Sequence, residues 1–175
     1  MKKFVLILTV ILVCLVGCSN SQSVNKSNES DTVAKDYLQG KGYKVILDEG
    51  ISETYTLTKE KLMSLPYSHY WGLQSEYPSK YLSKEVKVQK LTVTNHPLDN
   101  WKSTSTKSEN IIKSKGKTNV WVYIVDNQAV GGHSYPHIDQ QMYGGVWSLD
   151  GKTLEGVHSI SFKDWSEQWK EKFGN

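Results

Sequence analysis

The chain has 175 residues, with 21 lysines, no arginine and 18 acidic residues, for a formal net charge of +3. The length suits one core of ordinary size, and the charge falls short of the strong basic patch that nucleic-acid binding calls for, which excludes that class. The only cysteines are Cys14 and Cys18, so everything beyond position 18 is without a disulfide, a thiolate metal site or a thiol nucleophile.

The chain opens on Met1-Lys2-Lys3 and a thirteen-residue apolar run from Phe4 to Val16. A basic start, a short apolar stretch and a small residue before a cysteine describe an export signal. A spanning helix needs about 20 apolar residues, so the run is too short for a comfortable permanent anchor. Leu15-Val16-Gly17-Cys18 resembles a bacterial lipobox. The resemblance implies cleavage after Gly17 and a diacylglycerol thioether on Cys18. Cys14 does not fit, because Val13 stands where the pattern takes Gly, Ala or Ser. Removing 17 of 175 residues leaves 158, with 19 basic against 18 acidic side chains. The expected product is a near-neutral lipoprotein held on the outer face of the cell membrane by acyl chains, each buried CH₂ contributing about 0.8 kcal/mol. The lipobox, the absence of arginine and the cysteine-free exported part together point to a low-GC Gram-positive source.

Residues 18–30 carry the lipidated Cys18 and a Ser/Asn-rich stretch, Ser19 to Ser30, with too few apolar residues to fold. It reads as a flexible tether reaching roughly 20 Å. The domain is expected over residues 31–175. Asp31 or Thr32 is placed to cap a helix through Leu38, stopped by Gly40 and Gly42. Tyr43 to Leu47 reads as a strand, Asp48-Glu49-Gly50 as a turn, and Ile51 to Leu57 as the return strand. Thr58 is placed to cap a short helix ending near Pro66. Lys84 to Asn95 is the clearest strand. Its apolar residues change parity between Val86/Val88 and Leu91/Val93, which predicts a β-bulge near Gln89-Lys90. Lys102 to Lys117 reads as an exposed loop, and Asn119 to Asp126 as a central strand. Asp126-Asn127 turns the chain, and Val146 to Leu149 forms another strand. Ser161 with Asp164 caps a last helix, on which Phe162, Trp165, Trp169 and Phe173 form one apolar face. The balanced charge of Glu167, Lys170, Glu171 and Lys172 favours packing of that face on the sheet over lying on a membrane. The fold expected is a single α+β domain, an antiparallel sheet with helices packed on one face.

Several segments together resemble an uncharacterised family of exported Gram-positive lipoproteins that carries only a domain-of-unknown-function name. They are Tyr37-Leu38 with Gly42 to Val45, Tyr70 to Gln74, Leu91 to Pro97, Val122 to Asp126 leading to Val130-Gly131-Gly132, and Ser148 to Glu155. The resemblance covers most of the domain and implies a small exported α+β domain. It carries no activity and no catalytic residue.

Two stretches hold candidate chemistry. Gly131 to Asp139 has two histidines four apart and a carboxylate two further on, so His133, His137 and Asp139 are candidate ligands for Zn²⁺ or Cu²⁺. Gly131, Gly132 and Pro136 make this stretch read as a loop. The aromatic set Tyr67, Tyr70, Trp71, Tyr77 and Tyr81 is mixed with Ser, Gln and Lys. It suits stacking on sugar rings or gripping a peptide, and equally a half-buried layer on the sheet. Tyr70, Trp71 and Tyr135 are the candidate ligand contacts. There is no Gly-x-Ser-x-Gly elbow, His-Glu-x-x-His or phosphate loop. Glu76, Glu85, Asp99 and Glu155 offer only the carboxylate pairs any chain of this size offers. The leading expectation is a monomeric, non-catalytic domain that needs no cofactor and binds a protein, peptide or wall glycan near the membrane. A metal-binding lipoprotein is the alternative, and a small wall hydrolase is a more distant third.

Overall fold

The computed structural model describes residues 26–103, 111–139 and 145–174. Cys18, the export signal and most of the expected tether lie outside the described residues. No helix among the described residues is long and apolar enough to cross a membrane.

Helix α1 spans Lys26–Gly40. It begins in the stretch expected to be tether and runs through Asp31 and Thr32 rather than starting there. It ends at Gly40 and is stopped as expected by Gly42, whose φ of +84° suits a residue without a side chain. The N–H of Gly42 donates to Gln39 O at 2.8 Å and that of Tyr43 to Leu38 O at 3.1 Å.

Strand β1 is continuous over Lys44–Thr56. The expected turn at Asp48-Glu49-Gly50 is a bulge instead, one of three register shifts against the next strand. Gly50 takes a φ of +76° and donates its N–H to Asp48 Oδ1 at 2.9 Å. An Asp with a nearby Gly satisfies a bulge as well as a reversal. Helix α2, Lys59–Met63, is capped by the Thr58 hydroxyl as expected. Helix α3, Tyr67–Gly72, and a 3₁₀ turn over Pro78–Tyr81 follow. Strands β2 (Glu85–Thr94), β3 (Thr118–Val125), β4 (Gln128–Pro136) and β5 (Trp147–Ser148) complete the sheet, and helices α4 (Leu154–His158) and α5 (Phe162–Phe173) close the chain.

The five strands lie in chain order and each neighbouring pair is antiparallel. The α+β domain is thus a sequential meander, with α2 and α3 inserted before its second strand. Asp126 and Asn127, with φ of 50° and 58°, form the tight connection between β3 and β4. Two consecutive positive φ values match the twist of the strands they join.

Each face of the sheet carries a hydrophobic core. Tyr55, Leu57, Val86, Val88, Tyr123 and Val125 pack with Leu62, Trp71, Trp165, Trp169 and Phe173. Leu91, Val93, Val120, Val122 and Ile124 pack on the other face with Ala34 and Leu38 of α1. Helices α2, α3 and α5 therefore share one face as expected, and α1 lies on the opposite one. This explains the parity change in β2. Its pairing with β3 runs without a register shift, so β2 itself is not bulged at Gln89-Lys90; the shifts that flank this pair put their extra residues in β1. Val86 and Val88 serve one core and Leu91 and Val93 the other, as alternation dictates.

Helix α5 behaves as its spacing predicts. Ser161 caps it, and Trp165, Trp169 and Phe173 are buried. Phe162, the fourth apolar residue, is 47% exposed beyond the end of that face. The Trp169 indole donates to Leu62 O at 2.7 Å, fixing α5 to α2. Gly72 lets α3 approach α5. A Cβ there would lie 2.4 Å from Cζ2 of the buried Trp165 ring. Gly72→Ala is expected to cost about 1–3 kcal/mol through overpacking. Urea unfolding would show this as a lower midpoint with an unchanged slope.

Candidate ligand-binding cleft

The helix layer covers only part of its face of the sheet. The face continues past Tyr70 of α3 onto Trp121 and Asn119 of β3 and Tyr135 of β4, all half-buried. There the sheet opens into a cleft of about 570 Å³, within the range of pockets that hold small ligands. Glu53 and Ser52 of β1 stand at one side, and Pro136 and Ile138 at the other.

Register builds the cleft. His133 pairs with Trp121 across the β3–β4 ladder, and Tyr135 pairs with Asn119. His133 is sandwiched between two rings. Tyr70 stacks on one side at a centroid distance of 4.1 Å and an interplanar angle of 9°, and Trp121 on the other at 4.8 Å and 6°. Below them Nδ1 of His133 and the Tyr123 hydroxyl share a hydrogen bond of 2.6 Å. Burial pushes the His133 imidazole down to about 3 and the Tyr123 phenol well above its ordinary value. The imidazole is therefore a neutral spacer that fixes the orientation of the indole.

The two glycines before His133 let α3 dock on β4. The Gln74 side chain donates through Nε2 to Tyr70 O at 2.8 Å and Gly132 O at 3.0 Å. The N–H of Gly132 donates back to Gln74 Oε1 at 3.0 Å. A Cβ on Gly131 would lie 2.2 Å from Gln74 Oε1, and one on Gly132 would lie 2.1 Å from Trp121 O. The amide clamp and the bare glycines together hold Tyr70 over His133.

Charged groups around the cleft are already hydrogen-bonded. Glu53 accepts a short hydrogen bond from the Tyr67 hydroxyl. Lys90 pairs with Glu49 at 2.7 Å, and its ammonium lies 5.7 Å from the centre of the Trp121 ring. Asn119 Oδ1 accepts from the Thr92 hydroxyl at 3.2 Å and lies 3.0 Å from His137 Nδ1.

Of the residues expected to form a site, Tyr70, Tyr135 and His133 meet in this cleft. Trp71 does not serve as a surface contact. It is 1% exposed and packs against Tyr81 and Tyr123, with Nε1 donating to the Tyr55 hydroxyl at 2.9 Å. On α3 it points into the core while its neighbour Tyr70 points along the sheet. The His133/His137/Asp139 set is not assembled. The expected loop is strand β4 as far as Pro136 and leaves the strand at His137; His133 is buried against Tyr123, His137 lies beside Asn119, and Asp139 pairs with Lys115. Among the described residues no three His, Cys, Asp or Glu side chains gather to hold a metal ion. Trp121, Asn119 and Glu53 line the cleft without having been singled out from the sequence. The signal for Trp121 was the alternation in Asn119 to Val125, which puts Trp121 and Tyr123 on one face and Val120, Val122 and Ile124 on the other.

A smaller cavity of about 400 Å³ lies beside the residues of β4 that precede its pairing with β5, lined by Gln74, Gly131 and the Lys41–Asp150 ion pair. Of the expected contact residues it touches only the buried Trp71.

Comparison with protein-family models, with curated proteins and with solved structures finds no match. The resemblance to exported Gram-positive lipoproteins is carried by the sequence segments alone.

Proposed function

We propose that this protein is a non-catalytic binding lipoprotein, acylated at Cys18 on the outer face of the membrane, that holds a peptide or glycan of the cell wall in the aromatic cleft. The observation that carries the reading is the Tyr70–His133–Trp121 stack beside Tyr135, a rigid aromatic wall on an open part of the sheet. Rings fixed in advance lose little freedom when a ligand covers them. The wall-facing location rests on the lipobox.

The chemistry of the lining supports binding over turnover. Glycoside hydrolysis takes two carboxyl groups flanking the bond. Among the described residues the cleft presents one, Glu53, and it is engaged by Tyr67. Asp99, one of the carboxylates considered from the sequence, is used structurally, accepting from the His96 N–H at 3.0 Å and the Thr118 hydroxyl at 2.8 Å. Glu76 pairs with Lys80.

Thermal unfolding of the full chain in detergent with soluble muropeptides tests the reading. A ligand at about 100 times its Kd stabilises by roughly 2.7 kcal/mol, a clear rise in Tm. The expected result is a rise for the wild type and none for Trp121→Ala. No rise for the wild type would overturn the reading.

A further inference from the structure

We infer that the ligand of this cleft is a glycan of uncharged pyranose rings, recognised by its sugar faces and hydroxyl or acetamido groups. The inference rests on the binding reading above and names the class of ligand.

Shape is the first argument. One face of the Trp121 indole is held against His133. The other faces the β2 side, where the Lys90 ammonium stands over the ring, 5.7 Å from its centre. Tyr135 pairs with Asn119, two residues along from Trp121, so Trp121 and Tyr135 are diagonal neighbours on one face. Such neighbours stand about 7–8 Å apart, within reach of large rings. Once the flexible Lys90 side chain swings off the indole, two rigid aromatic groups at that spacing, beside an open cleft, match the C–H faces of linked pyranose rings.

Charge is the second argument. A free stem peptide brings ammonium and carboxylate groups, and taking these out of water requires a partner for each. Glu53 already accepts from Tyr67, and Lys90 is already paired with Glu49. The chain has no arginine to grip a carboxylate in two places. The cation-binding faces of Tyr55 and Tyr67 are covered by Lys61, whose ammonium lies 5.0 and 4.1 Å from their ring centres. A charged ligand would have to compete with these partners, whereas a neutral one has only to move Lys90 off the indole, which leaves the pair of Lys90 with Glu49 in place.

Hydrogen-bonding capacity is the third. Asn119 Oδ1 is occupied by Thr92 and His137, which leaves its Nδ2 hydrogens to donate. The Ser52 hydroxyl donates to Val88 O at 3.1 Å, which leaves its oxygen to accept. Neutral donors and acceptors beside an aromatic face suit sugar hydroxyls and acetamido groups.

Two probes separate the possibilities by calorimetric titration of the full chain in detergent: an N-acetylglucosamine oligomer free of peptide, and a free stem peptide without sugar. The oligomer is expected to bind, with an affinity that changes little between low and high salt because no ion pair is screened. Trp121→Ala and Asn119→Ala should each weaken it tenfold or more. Both side chains are half-buried, and circular dichroism would verify that each variant is folded. Binding of the stem peptide but not the oligomer would overturn the glycan assignment and leave the cleft reading standing. Binding of the oligomer unchanged by Trp121→Ala would overturn the assignment to this cleft. Binding of neither probe would overturn the glycan assignment, and the muropeptide measurement with Trp121→Ala would separately decide whether the cleft binds at all.

Discussion

Trp71→Ala is expected to destabilise the domain by about 4 kcal/mol, a large share of the 5–15 kcal/mol that holds an ordinary domain folded. Trp71 is among the largest fully buried side chains and lies where α3 meets the sheet. Its ring centre is 4.9 Å from that of Tyr123 and 5.9 Å from that of Tyr81. Truncation leaves a cavity the size of an indole and removes the donor to the Tyr55 hydroxyl. Both effects act in the same direction, since a buried hydroxyl without a partner costs about 1–3 kcal/mol. Trp71→Phe keeps most of the volume and loses the donor, so it should cost less than Trp71→Ala. Urea unfolding of the two variants beside the wild type checks the order. If Trp71→Ala were as stable as the wild type, the placement of α3 on the sheet would be wrong. Any loss of ligand binding in Trp71→Ala follows from unfolding and does not mark a contact.

Acidification is the second large effect. The His133 pKa falls from 6.5 to about 3 in the folded state because burial disfavours the charged ring. Between these values the unfolded chain binds a proton that the folded chain does not, so stability falls as pH falls. The contribution is fully present above pH 6.5, and about 4 kcal/mol of it is lost by pH 3.5. His96 acts in the same direction. Its pKa is lowered mainly by burial, and its ring bridges the Leu98 N–H and Leu149 O. Asp48, held below the usual carboxylate range by hydrogen bonds from Lys35, Gln89 and Gly50 that outweigh its desolvation, also loses its contribution on acidification. A double variant isolates the His133 part. His133→Phe with Tyr123→Phe keeps a ring in the stack and removes both ends of the buried hydrogen bond. Its unfolding free energy between pH 6.5 and 3.5 should fall less steeply than that of the wild type, by roughly that 4 kcal/mol. Equal slopes would mean that His133 is protonated in the folded protein at low pH.

Much of the fold was legible wherever a short-range signal decides the structure. The spacing of Trp165, Trp169 and Phe173 fixed α5 and its inward face, Thr58 and Ser161 marked two helix starts, and Asp126-Asn127 marked the turn between β3 and β4. The misreadings came where one residue pattern serves two structures. Asp48-Glu49-Gly50 suits a turn or a bulge, and only pairing with β2 makes it a bulge. Gly131-Gly132 suits a loop, and here it gives α3 and Gln74 room against a strand. The parity change in β2 suits a bulge or a sheet buried on both faces, and the second α-helical layer, α1, decides it.

The cleft was hidden by a single residue. A tight turn at Asp126-Asn127 extended without a bulge would place Trp121 opposite Gly132. The register instead shifts by one between Tyr123 and Ile124, which brings His133 opposite Trp121. A shift of one residue moves every later side chain of β4 to the other face. His133 and Tyr135 thereby join Trp121 on the cleft side. The paired glycines Gly131-Gly132 permit a bulge but do not fix where the register shifts, so the stack cannot be assembled from the sequence.

The most direct test is an NMR spectrum of the full chain in detergent, with tryptophan and tyrosine rings selectively labelled, recorded with and without soluble muropeptides. The account predicts shifts at Trp121, Tyr135 and Tyr70, with the buried rings of Trp165 and Trp169 unmoved. Shifts at other rings with these three unmoved, or no shift at all, would contradict it.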